Sequence, residues 1–136
     1  MNADNMRDLA KLRYERAKEL IDEATDLLQC EHYKSANNRA FYAGEKAVKA
    51  ALAAIGKDSE SHNGVIKTFN MEFIHQPCDF FSRDDLRILQ SMERIRNSSD
   101  YDDFYVANKA ECEDQVAKAR QLLCKVSAYL KTQGII

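Results

Sequence analysis

The chain has 136 residues, 45% of them apolar and 31% charged, with four Gly and one Pro, a composition that excludes a disordered or fibrous protein and fits one helix-rich domain over residues 1–136. Its 20 basic and 22 acidic residues leave a net charge of −2, which excludes an overall positive field for nucleic acid and confines any RNA contact to a local site. No apolar run reaches the roughly 18 residues of a membrane span, and Met1-Asn2-Ala3-Asp4-Asn5 lacks the basic and apolar regions of a signal peptide, so the expected location is the cytoplasm with no membrane partner.

From about Asp8 to Leu28 the residues Ala10, Ala17, Leu20, Ile21, Ala24, Leu27 and Leu28 recur every three or four positions, which predicts a helix with one buried face. Glu31 and His32 mark a turn. A second helix follows from Tyr33 to Ile55, closed by Gly56, whose missing Cβ suits left-handed geometry. Within it Ala36, Ala40, Ala43, Ala47, Ala50 and Ala54 form a seam of small side chains that another helix can approach closely. Phe41, Val48, Leu52 and Ile55 add a second stripe beside that seam, so this helix is expected to be central.

Lys57 to Ser61 reads as a polar connector, after which Val65, Ile66, Phe69, Phe73 and Ile74 predict a shorter helix stopped before Pro77. Ser82 with Asp85 three residues on is an N-cap signature for a fourth helix through Leu86, Ile88, Leu89, Met92 and Ile95, expected to end at Arg96. Residues 97 to 107 are expected to form a loop, because Ser98, Ser99, Asp100, Asp102 and Asp103 favour caps and turns. Asn108 and Glu111 open a last helix, in which Cys112, Val116, Ala119, Leu123, Val126 and Leu130 hold an apolar stripe up to Gly134. The short connections favour an all-α, up-and-down helical bundle of four long helices plus one short helix.

Cys30, Cys78, Cys112 and Cys124 contain no C-x-x-C pair and are read as buried thiols. His32, His62 and His75 are scattered, with no histidine–carboxylate spacing of a metal site, so neither a metal nor another cofactor is expected. Arg96 continues the stripe of Leu86, Leu89 and Glu93, which places its stem on the core-facing side of the fourth helix; a Glu93/Arg96 pair at the helix end is the purely structural reading.

The string Arg96-Asn97-Ser98-Ser99-Asp100-Tyr101-Asp102-Asp103-Phe104 resembles the arginine signature of HEPN domains. Ala36-Asn37-Asn38-Arg39-Ala40-Phe41-Tyr42-Ala43 is similar to an Arg-containing segment of the small stand-alone HEPN proteins, and Ser61-His62-Asn63-Gly64-Val65 to a third block of theirs. The blocks stand in family order across roughly residues 30 to 130. The resemblance implies a helical bundle that pairs as a homodimer.

It also implies one of two activities. The first is the helical partner of a small nucleotidyltransferase in a toxin–antitoxin-like module, with exposed Tyr101 as a conceivable acceptor for nucleotide transfer. The second is a metal-independent endoribonuclease acting on RNA. Tyr101 stands where the family's motif histidine is usual, and a phenol of ordinary pKa about 10 is a poorer base near pH 7 than an imidazole. That departure favours the partner reading. In the ribonuclease reading Arg96 binds the phosphate, Asp100 accepts the 2′-hydroxyl proton and Tyr101 serves the leaving group. Asn38, Arg39, His62, Asn97 and Asp103 are the expected substrate- or partner-binding residues, with His62 a substitute imidazole if the third helix begins beside the Arg96 segment.

Overall fold

A computed structural model describes residues 2–76 and 78–136. Among them the helices are α1 (Ala3–Gln29), α2 (Tyr33–Ala54), α3 (His62–Phe69), α4 (Arg83–Tyr101) and α5 (Lys109–Thr132). A π-helical turn, Asn70–Ile74, continues α3. This is the all-α bundle expected from periodicity, with α3 as its short member. The expectation that Pro77 stops this element falls outside the described residues.

The central place of α2 follows from its composition. Phe41, Val48, Leu52 and the alanines at 36, 40, 43, 47, 50, 51 and 53 are all fully buried, and the helix packs against α1, α3, α4 and α5. At Gly44 side chains from two of these neighbours press on α2. A Cβ built there lies 3.2 Å from both Leu122 Cδ1 and Met92 Cε, so the glycine admits α4 and α5 together. Gly56 follows the helix with φ +74°, the left-handed geometry expected of it.

An aromatic cluster anchors the short helix. Phe69 and Phe73 meet Phe81 with ring centroids 5.3 and 5.1 Å apart, and Phe73 lies 5.2 Å from Tyr129 of α5. With its C-terminal end fixed by these rings, α3 presents its first residue, His62, to the flank of α2. Ser61 caps it, accepting from Gly64 N at 3.0 Å.

Several expectations are corrected. The first helix begins at Ala3 rather than Asp8, capped by the Asn2 side chain. In α5 the fully buried position is Leu122, with Leu123 at the margin. The cysteines are not uniformly buried: Cys112 is, Cys78 is partly covered, and Cys30 and Cys124 are exposed. The largest difference is in α4, which does not end at Arg96 but runs to Tyr101. Asp85, Leu89, Met92, Arg96 and Ser99 form a continuous buried stripe at helical spacing, so the core-facing periodicity crosses the presumed boundary.

Candidate functional site

The extension of α4 is held from α2. Ser99 Oγ donates to the Ile95 carbonyl (2.8 Å) and accepts from Asn37 Nδ2 (3.1 Å). Asn38 Nδ2 donates to Asp100 Oδ2 at 2.8 Å. Gln115 of α5 reaches under the same place, donating to the Met92 carbonyl at 2.9 Å. Serine and aspartate ordinarily draw the backbone out of a helix by bonding to it locally; here Ser99 bonds back to its own helix at i−4, a bond compatible with the helix, and Ser99 and Asp100 each accept from an asparagine of α2.

Arg96 sits at the centre, 8% exposed. Its Nη2 donates to the Tyr42 hydroxyl (2.7 Å) and, more weakly, to the Tyr101 hydroxyl (3.4 Å), while Nη1 donates to Asn97 Oδ1 (2.9 Å). Asp100 Oδ2 lies 3.0 Å from Nε. The Nε hydrogen is not aimed at that oxygen, so the contact is an ion pair by distance and not a directed hydrogen bond. The guanidinium also stands 5.3 Å from the ring centroids of Tyr42 and Tyr101 and 6.0 Å from that of Phe41. The expected Glu93/Arg96 pair is replaced by Asp100, one turn further on, because the helix continues and brings that carboxylate to the i+4 position.

His62 joins the same cluster from α3. Its ring lies edge-on to Phe41 (5.4 Å, 76°) and tilted against Tyr42 (5.8 Å). Its Nδ1 is hydrogen-bonded to Glu45 Oε2. The structure therefore brings together Arg96, Asp100, Tyr101, Asn97, Asn38 and His62. Arg39 lies next to Asn38, donating to its Oδ1 (3.1 Å), and turns toward Glu23 of α1 at 3.6 Å. Asp103 does not join them; it lines a neighbouring depression of about 570 Å³ with Lys34, Ser35 and Tyr105. Sequence reasoning missed Glu45 and Tyr42 as site residues. The available signal was Glu45 itself, the one carboxylate in the α2 segment, set among the small residues Ala43, Gly44 and Ala47.

Beside Asp100 a cleft of about 510 Å³ is lined by Lys34, Ser35, Asn38, Arg39 and Ser99. It gives the acidic end of α4 two cationic neighbours. At the end of α4 and in the loop after it, Tyr101, Phe104 and Val106 are 71%, 95% and 82% exposed. No group of three or more His, Cys, Asp and Glu side chains among the described residues is arranged to hold a metal ion. No described helix is long and apolar enough to cross a membrane.

A profile of the HEPN domain matches residues 10–129, from within α1 to near the end of α5. The chain belongs to the HEPN domain family. A UPF0332 protein of Thermotoga maritima is 32% identical over 116 residues, 85% of this chain and 86% of that protein. A Methanocaldococcus jannaschii protein named Putative toxin MJ0142 is 28% identical over 130 residues, 96% of this chain and 86% of that protein. The crystal structure of TT1696 from Thermus thermophilus superposes with a TM-score of 0.72, covering 88% of this chain and 96% of that one at 20% identity, which establishes a shared fold. In this HEPN chain the stretch from Arg96 to Tyr101 is thus helical, the C-terminal end of α4, and Asn37 and Asn38 of α2 bond to it.

Proposed function

We propose that this HEPN chain is the toxin-like component of a two-component module and that its Arg96 centre cleaves the phosphodiester backbone of RNA without a metal ion. The observation that carries this is the arrangement of partners around the guanidinium. The hydroxyl of half-buried Tyr42 and the buried Phe41 ring hold Arg96 on its inner side, whereas Asp100, Tyr101 and Asn97 around it are exposed residues. A phosphate can replace Tyr101 and Asn97 at little cost, while the inner contacts keep the charge in place. The Lys34 and Arg39 cleft beside Asp100 supplies local cations for the flanking backbone, consistent with a site-specific contact on a near-neutral protein. The relative named as a toxin supports the same reading.

Arg96 would stabilise the charge that gathers on the phosphoryl oxygens, and Tyr101 would protonate the leaving oxygen. Asp100, already engaged by Asn38 and Arg96, orients the arginine in this scheme. Purified chain incubated with structured RNA in EDTA tests the reading: cleavage by the wild type and its loss in Arg96→Ala supports it, and intact RNA with the wild type refutes it.

The exposed Tyr101, Phe104 and Val106 favour a second, compatible role as a docking edge. A second copy of the chain, as a homodimer, and a nucleotidyltransferase partner both suit such a surface, and Tyr101 is open enough to accept a nucleotide. Light scattering on the isolated chain tests the first. Co-purification with the product of a neighbouring nucleotidyltransferase gene, lost in Phe104→Asp, tests the second.

A further inference from the structure

Opposite its buried stripe, α4 carries a second row of residues: Arg83, Arg87, Gln90, Arg94, Asn97 and Tyr101. At about 100° per residue these six fall within roughly 80° of one another, so one row runs the length of the helix and ends at the Arg96 centre. All are exposed except Gln90, which is half-buried. The helix holds four of the chain's nine arginines and none of its eleven lysines. That choice suits phosphate, because the forked guanidinium matches two of its oxygens where an ammonium offers a point charge.

The cations of the row are open to a ligand. Arg83 and Arg94 have no ion-pair partner among the described residues. Arg87 pairs with Asp84 at 3.0 Å, but the two side chains are 72% and 78% exposed, and such a pair contributes little in water. Between the row and α5 lies a cleft of about 520 Å³ lined by Arg87, Gln90, Ser91, Arg94 and Lys118. Its one lining carboxylate is that of Asp84, already held by Arg87. A protein-binding face has an apolar centre, and no large apolar side chain among the described residues is exposed between Arg83 and Asn97.

We propose that the exposed face of α4 is a backbone track for the RNA strand on one side of the Arg96 centre, with Arg94, Arg87 and Arg83 contacting phosphates in turn and reading no bases. This rests on the reading of that centre as a phosphodiester-cleaving site. From Arg83 to Tyr101 the helix rises about 27 Å, the length of roughly eight nucleotides stacked at about 3.4 Å each. The cleft with Lys34 and Arg39 continues the path past Asp100.

The test is fluorescence anisotropy of the full chain with labelled 2′-O-methyl oligoribonucleotides of about 4 and about 12 nucleotides, which lack the attacking 2′-hydroxyl and so stay intact. Arg83→Gln/Arg87→Gln/Arg94→Gln changes exposed side chains only and is expected to bind the longer strand at least about 10-fold more weakly, whatever its base sequence. The slope of log affinity against log salt is expected to fall by about 2, since each single-strand phosphate contact contributes about 0.7. The shorter strand, which the Arg96 centre can hold alone, should bind both proteins within about threefold. Lys11→Gln/Lys18→Gln/Lys131→Gln makes the same change in net charge on exposed residues elsewhere and is expected to leave the slope within about 0.5 of the wild type.

Wild-type affinity and slope in the arginine variant overturn the track in favour of an acidic protein surface, and equal losses in the two variants overturn it in favour of a general field. Cutting is scored separately, on the unmodified longer strand in EDTA. A wild type that cuts, beside an arginine variant that keeps its affinity, overturns the track alone. A wild type that leaves this strand intact overturns the cleavage reading, and with it the track as a substrate path.

Discussion

Removing a single oxygen, in Tyr42→Phe, tests how Arg96 is held. The phenylalanine ring keeps the cation–π contact to the guanidinium (5.3 Å) and the packing on His62 (5.8 Å), so the change isolates the 2.7 Å hydrogen bond from Nη2. A hydrogen bond to a charged group contributes about 1.5–3 kcal/mol, and this one leaves a donor of an 8%-exposed arginine without its shortest partner, which places the loss near 2 kcal/mol. For 136 residues each kcal/mol moves the midpoint by about 3–4 °C, so thermal unfolding followed by circular dichroism should shift down by about 7 °C. The same substitution in an Arg96→Met background, where no charge needs the oxygen, should cost less than about 0.5 kcal/mol, giving a coupling energy of about 1.5 kcal/mol. Equal, small costs in both backgrounds would refute the claim that Tyr42 positions the guanidinium.

Thiol labelling separates the cysteines: Cys30 and Cys124, both exposed, should react with iodoacetamide at pH 8 in the folded chain, and Cys112 should not, as mass spectrometry of the labelled peptides will read. Burial pushes the Cys112 thiol up from 9.0 to about 11, leaving roughly one thiolate in a thousand at pH 8. Because the folded thiol holds its proton to higher pH than the unfolded one, its contribution is intact below pH 9.0 and lost as pH rises toward about 11, so Cys112→Ala should flatten the alkaline fall in urea-measured stability. Asp85, fully buried, accepts from the Ser82 backbone N–H and from Lys125 Nζ, both at 2.8 Å; Asp85→Ala should cost about 2–4 kcal/mol in urea denaturation by removing the cap of α4 and stranding the lysine. Gly44→Val should cost at least about 1–3 kcal/mol by the same assay, since its Cβ already meets Leu122 and Met92 at 3.2 Å and its methyls have no room.

The bundle was legible because the stripes of α1, α2 and α5 repeat at helical spacing, and burial of that face is what forms the helices. Adjacent leucines in α5 were harder: Leu122 and Leu123 both fit an apolar stripe, and the close approach at Gly44 selects Leu122. The end of α4 misled for a physical reason. Its serines and aspartates disfavour helix interiors, it has no basic residue in its last turn to suit the dipole, and Asp100 adds negative charge there. Asn37 and Asn38 compensate from across the bundle, 62 positions away in sequence, and Arg96 from one turn earlier in the same helix. A local rule broken and repaired at long range is where function is expected to lie. Arg96, Asp100, Tyr101, Asn38 and His62 could be named from the sequence, whereas the Tyr42 and Glu45 contacts could not: the first depends on how α4 packs on α2, and the second on how α3 is anchored by Phe69 and Phe73.

The most direct measurement is single-turnover cleavage of a labelled RNA in EDTA by the wild type and by Arg96→Ala, with the product ends identified. The account predicts 2′,3′-cyclic phosphate ends from the wild type and a rate lower by about 100-fold or more in the variant. Intact RNA with the wild type, or equal rates for the two proteins, would contradict it.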